Sequence, residues 1–484
     1  MEMPNRESQE TDFIRKTKIV CTIGPACDSE EMMKELMLAG MDVARFNFSH
    51  GTREEQRVKY ERLDKARKEL ALPVATLMDT KGPEIRLRDF AGGSVMLSAG
   101  ELFTLTTEEL LGTDRKASIT YANLKNDISV GTGILIDDGL IELKVEDIRG
   151  EEIVCRVIHG GKVSNHKGIN VPGAVLSMPY ISEVDRADIL LGMELGFEYI
   201  AASFARSRED IMELRSILDA HHSSMKIIAK IENMQGIQNM EEILRVSDGV
   251  MVARGDMGVE IPLEEVPLYQ KKMIAMANSM GKQVITATQM LESMIEHPRP
   301  TRAEATDIAN AIYDGTTAIM LSGETAAGKY PVEAVRTMSR IAKAAEDSID
   351  YGEKLTRLSG KHKKHITAAI AYATCSAAVD LDAAAIITVT ISGYTAASIA
   401  GCKPGCPIIC CTTSETVYRQ ANLLWGVKSL LLGREEDSEK LFEHALQEAE
   451  RAGFIKKGDV VVITAGVPLG IAGRTNMLRV VEVE

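Results

Sequence analysis

Residues 226–233, KIIAKIEN, and residues 249–256, GVMVARGD, decide the fold of this chain. Each is a short apolar run that ends in charged residues or glycine, which is typical of a buried strand opening into a site. Lys230 and Glu232 are two residues apart, so on a strand both side chains leave from the same face. Asp256 ends the next run, directly after Gly255. A cation and two carboxylates suit a hard divalent ion next to an anionic substrate, the arrangement that phosphoryl transfer requires.

Eight such runs occur in the chain, and helical patterns lie between many of them. This alternation predicts an α/β fold with a parallel sheet, and eight units predict a (β/α)8 barrel. In that fold the chemistry lies at the carboxyl ends of the strands, where this sequence places its polar motifs. The predicted strands are Ile19–Ile23, Val43–Phe46, Val74–Met78, Tyr199–Ser203, Lys226–Ile231, Gly249–Val252, Val284–Ala287 and Ala318–Leu321.

Helix-capping patterns agree with this alternation. Asp28 with Glu31 predicts an N-cap followed by a capping carboxylate, and Gly40 would end that helix. Thr301 with Glu304 predicts a second capping box. Both predicted helices fall between predicted strands.

Two segments depart from the barrel pattern. The gap between the third and fourth predicted strands is too long for one helix and is rich in Val, Ile, Thr and Gly, which predicts a small β-barrel domain inserted as a lid. After about residue 350, runs and helical segments alternate again, which predicts a separate α/β domain with a mostly parallel sheet. The predicted boundaries are 1–83 and 179–350 for the catalytic barrel, 84–178 for the inserted lid and 351–484 for a C-terminal regulatory domain.

Composition narrows the class of protein. The chain has 484 residues, and a prior of about 150 residues per domain predicts roughly three domains. The net charge of −14 argues against binding to nucleic acid or to anionic membranes. The polar N-terminus has no apolar core of a signal peptide, and no run reaches the ~18 apolar residues of a membrane span. The eight cysteines form no CxxC pair, so we interpret them as buried free thiols of a cytoplasmic protein.

Nine motifs, in order along nearly the whole chain, closely resemble those of the pyruvate kinase family. They are CTIGPA at 21–26, ARFNFSHG at 44–51, DTKGPEIR at 79–86, KGINVPG at 167–173, AKIEN at 229–233, MVARGDMGVE at 251–260, ITATQMLESM at 285–294, PRPTRAEATDIANAI at 298–312 and LSGETAAGKYP at 321–331. The resemblance implies glycolytic phosphoryl transfer from phosphoenolpyruvate to ADP, giving pyruvate and ATP, with Mg²⁺ (or Mn²⁺) and K⁺ as cofactors. It also implies a homotetramer with a phosphorylated allosteric effector. Because the chain ends at Glu484, a bacterial type without the extra C-terminal domain is expected.

The resemblance also implies roles for individual residues. The Mg²⁺ ligands would be Glu232 and Asp256, and a K⁺ pocket would comprise Asn47, Ser49, Asp79 and the Thr80 carbonyl. Catalytic roles would fall to Lys230, Arg45, Thr288 and Ser322, and substrate binding to Arg45, Lys230, Gly255, Asp256 and Thr288. The nucleotide would contact Thr22, Pro25, Arg45, His50 and Arg86. Arginine suits phosphate because its guanidinium grips two oxygens in a planar fork, and a helix start offers N–H groups to a carboxylate.

Several of these residues have ordinary structural alternatives. Asp256 could be only a helix cap, His50 a structural histidine, and Ser322 an N-cap or turn residue. Glu84 stands where, in this family, a glutamate goes with K⁺ dependence and a lysine replaces the charge of the ion. Val184 stands where the family commonly has a lysine that touches nucleotide phosphates. Either nucleotide binding is weaker here or a neighbour such as Arg186 substitutes.

The segment from residue 390 to 395 lies between a predicted strand and a predicted helix of the last domain. Hydroxyls and N–H groups at a helix start can form a phosphate pocket. The resemblance implies an effector site there, although plain turn chemistry gives the same pattern; its residues would be Thr390, Ser392, Gly393 and Thr395. The loop at 466–473 lacks the Trp and Arg that grip a bisphosphate in animal and yeast relatives. A sugar or nucleoside monophosphate is therefore predicted rather than fructose 1,6-bisphosphate.

Two other functions remain open. A metal-dependent aldolase or lyase on a (β/α)8 barrel would also hold an enolate on Mg²⁺, but it would not need the lid, the K⁺ pocket or the nucleotide residues. A catalytically silent regulatory protein would keep only the scaffold. The presence of Lys230, Glu232, Asp256, Thr288 and Arg45 argues against that alternative.

Overall fold

The computed structural model describes residues 15–356, 365–433, 435, 437–468 and 473–484. Strands and helices alternate from the beginning of this range, and the strands are almost wholly buried. The first elements are β1 (Lys18–Thr22), α1 (Glu30–Ala39), β2 (Val43–Asn47), α2 (Arg53–Glu69) and β3 (Ala75–Asp79).

A β domain follows β3. Seven of its strands form one sheet in the order β4-β12-β8-β9-β10-β6-β7, and β5 pairs with β11. Its own core contains Phe103, Leu105, Leu143 and Ile153. The elements are β4 (Ile85–Arg86), β5 (Ser94–Leu97), β6 (Leu102–Thr106), β7 (Lys116–Ser118), α3 (Leu124–Asp127), β8 (Gly133–Ile136), β9 (Ile141–Arg149), β10 (Glu152–His159), β11 (Gly161–Ser164) and β12 (Gly168–Asn170).

The strand and helix alternation then resumes. Short 3-10 helices, Leu263–Glu265 and Glu292–Ile295, interrupt two of the connections. The elements are α4 (Glu183–Leu195), β13 (Tyr199–Ala202), α5 (Arg208–Ala220), β14 (Lys226–Ile231), α6 (Met234–Gln238), α7 (Met240–Val246), β15 (Gly249–Ala253), α8 (Arg254–Glu260), α9 (Val266–Ser279), β16 (Gln283–Ala287), α10 (Arg302–Asp314), β17 (Ala318–Leu321), α11 (Gly323–Ala326) and α12 (Pro331–Asp347).

Eight parallel strands close into a barrel in the order β1-β17-β16-β15-β14-β13-β3-β2. The pairing of β1 with β2, which sets Val20 beside Val43, completes the ring. The (β/α)8 barrel predicted from the sequence is therefore confirmed, and each predicted strand coincides with an observed one to within a residue or two. Because the strands are parallel, their carboxyl ends open together at one end of the barrel.

The helix caps confirm one prediction and correct another. Thr301 and Glu304 form the capping box of α10, as predicted. Helix α1 begins after Ser29, whose Oγ accepts a hydrogen bond from the Met32 N–H at 3.2 Å, so the prediction of Asp28 as the cap was wrong. Aspartate and serine cap equally well, and the two are adjacent in the sequence, so the pattern alone does not separate them. Gly40 ends α1 at a φ of 121°, a region that favours glycine.

The last domain contains a five-stranded sheet in the order β20-β19-β18-β21-β22, in which only β22 is antiparallel to its neighbour. The mostly parallel sheet predicted there is confirmed. Residues 469–472 of the predicted effector-specificity loop lie outside the described residues. The elements are α13 (Tyr351–Thr356), α14 (Ile366–Asp380), β18 (Ala385–Val389), α15 (Tyr394–Cys402), β19 (Ile408–Thr412), α16 (Glu415–Gln420), the 3-10 helix Ala421–Leu423, β20 (Val427–Leu431), α17 (Ser438–Arg451), β21 (Val460–Ala465) and β22 (Met477–Glu482).

Three further findings bear on the predictions from composition. In the described part of the chain, no helix combines the length and the apolar character that crossing a membrane would need. All eight cysteines are free thiols. Six of them are buried, and Cys402 and Cys406 are half-buried.

Candidate active site

A chain of alternating charges lies where strands β2, β3 and β14 end. Arg45 Nε lies 2.6 Å from Asp79 Oδ2, and Lys230 Nζ lies 3.0 Å from Asp79 Oδ1. The same ammonium lies 3.0 Å from Glu232 Oε1. All four side chains are buried, so each charge depends on its neighbours for compensation. The sequence placed Lys230 and Glu232 together; the barrel adds Arg45 and Asp79 from two other strands.

The surroundings keep Lys230 and Asp79 charged. Burial alone would lower the pKa of Lys230, but Asp79, Glu232 and Asp256 outweigh it and raise the pKa. Burial likewise opposes ionisation of Asp79, but Arg45 and Lys230 outweigh it and lower the pKa of that carboxyl. A fixed cation and a fixed anion therefore lie at the floor of the site.

The negative charge of Glu232 has fewer compensating partners than the charge of Asp79. Its Oε2 accepts a hydrogen bond from the Phe204 N–H at 2.5 Å. Its Oε1 touches Lys230 Nζ outside hydrogen-bonding geometry and, among the described residues, has no hydrogen-bond donor. Burial first, and the charge of Asp256 second, raise the pKa of Glu232 to about 8 despite the attraction of Lys230. A buried carboxylate oxygen with an unused lone pair beside a second carboxylate is a position that suits a cation.

The donor set fits Mg²⁺ in particular. Mg²⁺ prefers hard oxygen ligands and is commonly bound through one or two carboxylates, with waters and substrate phosphates completing its shell. Glu232 and Asp256 supply two such carboxylates. Over the described ranges, no cluster of three or more His, Cys, Asp and Glu residues could hold a metal by itself.

A cleft of about 550 Å³ opens above these groups, between the barrel and the inserted β domain. Asn170 of β12 donates a 2.9 Å hydrogen bond to Glu260 Oε1 of α8 across it. Of the residues predicted for the site, those that line the cleft are Arg45, Asn47, Ser49, His50, Thr80, Arg86, Lys230, Glu232 and Asp256. The other predicted residues do not line it: Thr22, Pro25, Asp79, Gly255, Thr288 and Ser322.

Gly255 and Thr288 are brought together by a hydrogen bond. The Gly255 N–H donates to Thr288 Oγ1 at 2.8 Å, so the N–H predicted to receive a substrate carboxylate has a partner within the protein. Helix α8 begins at Arg254 after Ala253, and no side chain caps it. The alternative that Asp256 is only a helix cap is therefore wrong.

Ser322 directly follows β17, and the environment of its hydroxyl is unusual. Its Oγ is buried and, within the described part of the chain, lacks a hydrogen-bond partner. Ser322 occupies the N-cap position of α11, as the structural alternative predicts, but its side chain makes no capping hydrogen bond. The Ser322 N–H donates instead to Glu324 Oε2 at 2.7 Å. A buried hydroxyl without a partner is expensive unless a ligand or water uses it.

Comparison with known proteins decides the family. The family models "Pyruvate kinase, barrel domain" and "Pyruvate kinase, alpha/beta domain" match residues 14–335 and 368–481. The pyruvate kinase of Geobacillus stearothermophilus is 50% identical over 469 residues, which is 96% of this chain and 80% of that protein. The pyruvate kinase of Clostridium acetobutylicum is 46% identical over 473 residues, 97% of this chain and 100% of that protein. The crystal structure of a pyruvate kinase from Cryptosporidium parvum matches with a TM-score of 0.92 and 39% identity, covering 97% and 96% of the two chains.

The chain belongs to the pyruvate kinase family. It is therefore an enzyme of the phosphotransferase class, and the resemblance stated from nine motifs is confirmed.

The residues of the predicted K⁺ pocket lie where β2 and β3 end side by side. Asn47 and Asp79 are neighbours in the pairing of β2 with β3. Asn47 Oδ1 accepts the Ser49 N–H at 3.0 Å, and the Thr80 carbonyl accepts a hydrogen bond from Ser203 Oγ at 2.6 Å. The four predicted residues thus converge, joined by Ser203, which the sequence did not single out.

The region of Val184 contains a cation that the sequence analysis missed. Val184 is exposed, and its carbonyl accepts a hydrogen bond from Arg53 Nη2 at 3.2 Å. Arg53 Nε and Lys81 Nζ both contact the buried carboxylate of Asp188, at 2.6 and 2.9 Å. Arg53 and Lys81 line a second, open cavity of about 380 Å³, and Lys81 also lines the main cleft. The lining also includes Glu54 besides Asp188, so its two cations are matched by two carboxylates.

Several polar groups of the predicted effector segment, residues 390–395, already form hydrogen bonds within the protein. Thr390 Oγ1 accepts the Gly393 N–H at 3.1 Å, and Thr395 Oγ1 shares a 2.9 Å hydrogen bond with Thr475 Oγ1. Gly393 has a φ of 76°, which favours glycine. Thr395 is buried, whereas Ser392 is half-buried at the rim. Ser392 is therefore the side chain best placed to meet a ligand.

Proposed function

We propose that this chain transfers the phosphoryl group of phosphoenolpyruvate to ADP, giving pyruvate and ATP. The observation that carries this proposal is the buried ammonium of Lys230, held between Asp79 and Glu232 at the floor of a cleft. Phosphoryl transfer depends on positioning and charge neutralisation more than on covalent chemistry. A permanently charged Lys230 beside Arg45, with two carboxylates for a metal ion, supplies both.

Arg45 and Lys230 would bind the phosphoryl oxygens, and Lys230 would also stabilise the enolate. A β-phosphate oxygen of ADP attacks phosphorus, the bond from phosphorus to the enol oxygen breaks, and its electron pair stays on that oxygen. Fixed charge aimed at developing charge is the largest contribution in many enzymes. Glu232 and Asp256 would hold Mg²⁺ (or Mn²⁺), which when bound neutralises charge on the phosphate and on the enolate.

Protonation of the enolate carbon completes the reaction. Ser322 Oγ and Thr288 Oγ1 are the hydroxyls that we propose for this proton path. Support comes from Ser322, whose buried hydroxyl is uncommitted among the described residues. The Thr288 hydroxyl accepts a hydrogen bond from the Gly255 N–H and donates one to the Ala287 carbonyl at 2.6 Å, which fixes its orientation. Which of the two acts as the donor would follow from comparing their alanine variants.

We place K⁺ between Asn47, Ser49, Asp79 and the Thr80 carbonyl. These are hard oxygen donors with one formal charge, as a monovalent ion requires. The nucleotide would lie along Thr22, Pro25, His50 and Arg86, under a lid comprising residues 84–178. Arg53 and Lys81 are better placed than Arg186 to take the part of the lysine that Val184 replaces, because Arg53 bonds the Val184 carbonyl and Lys81 bonds Asp188, one turn further along α4.

Regulation forms a separate part of the proposal. We place a phosphomonoester effector at Thr390, Ser392, Gly393 and Thr395, in a regulatory domain that begins near residue 351. We also propose a homotetramer and a cytoplasmic location. The C-terminal domain contacts the barrel directly, because Leu423 is buried in the same cluster as Val20 and Leu77 of the barrel interior.

One coupled assay tests the proposed reaction. Pyruvate formed from phosphoenolpyruvate and ADP is measured through lactate dehydrogenase, with Mg²⁺, and with or without K⁺. Product that depends on both ADP and Mg²⁺ is expected. Cleavage of phosphoenolpyruvate without ADP, or no turnover at all, would favour the lyase or the silent scaffold instead.

A further inference from the structure

We propose that Ser203 is a positioning residue that orients the ammonium of Lys230 and connects it to the monovalent-cation pocket. The inference rests on the proposed function and adds a residue to its machinery. Ser203 directly follows β13 and is 1% exposed. Its hydroxyl accepts a hydrogen bond from Lys230 Nζ at 2.8 Å and lies 3.1 Å from Asp79 Oδ1 and 2.6 Å from the Thr80 carbonyl.

Ser203 constrains the direction of the ammonium. Lys230 has three N–H donors, and hydrogen bonds to Asp79 and Ser203 use two of them. The contact with Glu232 is ionic and lacks hydrogen-bonding geometry. Among the described residues, Ser203 is the one neutral acceptor that Lys230 Nζ contacts. Without it only the two carboxylates would hold the ammonium, and nothing would fix its third N–H toward the cleft.

Ser203 also faces two oxygens of the proposed K⁺ pocket. A serine hydroxyl carries one hydrogen, which can go to the Thr80 carbonyl or to Asp79, but not to both. A cation bound by those oxygens withdraws electron density from them and repels that hydrogen, so it weakens the hydrogen bond. Occupancy of the pocket therefore changes the hydrogen bonding of the group that orients Lys230. This gives a physical route from K⁺ to the catalytic ammonium through a single side chain.

The test compares Ser203→Ala with the wild type and with Ser247→Ala. Ser247 is as buried as Ser203, but its hydroxyl has no partner within the described ranges, so it controls for the loss of a buried hydroxyl. Loss of a hydrogen-bond partner that orients a metal ligand typically costs about 10–100-fold in activity, and we take the same order for a partner of Lys230. We expect Ser203→Ala to lose kcat by that factor and to need more K⁺ for half-activation. Its KM for phosphoenolpyruvate and its melting temperature should change little.

A second variant covers a failure of the first to fold. Ser203→Cys keeps the volume of the side chain and weakens its hydrogen bonds, so a smaller loss in the same direction is expected. Wild-type kcat and wild-type K⁺ half-activation in either folded variant would overturn the inference. A lower melting temperature with unchanged K⁺ dependence would do the same, because it indicates a structural role alone. Failure of the wild type to form pyruvate would refute the proposed function instead.

Discussion

The hydroxyl of Tyr199 donates a 2.6 Å hydrogen bond to the carbonyl of Gln420, which joins barrel strand β13 to helix α16 of the C-terminal domain. Gln420 Nε2 donates in turn to the carbonyl of Ser224 at 2.8 Å. Three residues further on, Leu423 is completely buried among the interior residues of the barrel. The C-terminal domain therefore supplies part of the barrel core, so changes in one domain are felt by the other.

Leu423→Ala should destabilise the protein substantially. Truncating a buried leucine typically costs about 2–5 kcal/mol, because it loses transfer energy and leaves a cavity. The melting temperature of the variant should fall clearly below that of the wild type in a thermal scan. Leu431→Ala is the matched control, since Leu431 is 44% exposed on β20. Equal melting temperatures for the two variants would contradict the placement of Leu423 inside the barrel.

Lys230→Met should nearly abolish turnover while the protein remains folded and still binds phosphoenolpyruvate. Removing one donor to a transition state typically costs about 10²–10³ in rate, and Lys230 is the buried cation nearest to Glu232. Steady-state kinetics give kcat, and calorimetry gives the affinity for phosphoenolpyruvate. Lys226→Met, at the other end of the same strand, should retain most of its activity. Near-normal kcat in Lys230→Met would remove Lys230 from the mechanism.

The strand ends of the barrel were predictable because apolar runs followed by polar motifs leave little freedom in a parallel sheet. Ser203 was not predictable, because a serine after an apolar run is also an ordinary turn residue. Its importance comes from Asp79, 124 residues away in the sequence, and from Lys230. Arg53 was not predicted for the same reason. In the sequence it resembles an ordinary surface residue at a helix start, and only the fold shows that it contacts Val184. The sequence pattern of one strand or helix predicts the chemistry of that element. Contacts between residues on different elements can be identified only once the fold is known.

Binding of the divalent ion should strengthen as the pH rises through about 8. Burial raises the pKa of Glu232 to about that value, so below it the metal competes with a proton for the carboxylate. The apparent Kd for Mn²⁺, measured without substrates by electron paramagnetic resonance, should rise about tenfold per pH unit below 8. Glu232→Gln should bind more weakly and without this slope, because an amide does not titrate. A flat profile between pH 6.5 and 8.5 in the wild type would contradict the raised pKa of Glu232, and undiminished binding in Glu232→Gln would exclude it as a ligand.

Glu84→Lys should lower the K⁺ requirement. Glu84 accepts a 2.8 Å hydrogen bond from Arg86 Nε and lines the cleft beside Arg45 and Lys230. A lysine there would place an ammonium where it can supply the charge of the missing ion. Activity is titrated with KCl against an inert organic cation. Glu109→Lys, a change of equal charge at an exposed position of the inserted domain, should keep the wild-type K⁺ curve. Identical curves for wild type and Glu84→Lys would refute the pocket.

Ser392→Asp should abolish activation by a phosphomonoester without changing basal kcat. Ser392 lies at the rim of the effector segment, and a carboxylate there would repel a phosphate. Thr395→Asp should act in the same direction, but it also breaks the buried hydrogen bond to Thr475, so its melting temperature must be measured alongside. The experiment is a phosphoenolpyruvate saturation curve with ribose 5-phosphate, glucose 6-phosphate, AMP and fructose 1,6-bisphosphate in turn.

In the wild type, at least one monophosphate should raise the affinity for phosphoenolpyruvate by roughly 5–150-fold, the usual range of allosteric coupling. Ser398→Asp is the control, because Ser398 lies further along α15 and bonds its hydroxyl to the Tyr394 carbonyl at 2.8 Å. This control should respond to the effector like the wild type. Activation by the bisphosphate alone would refute the reading of the loop at 466–473. A normal response in Ser392→Asp would remove the effector from this segment, because a ligand phosphate beside a new carboxylate cannot bind unchanged.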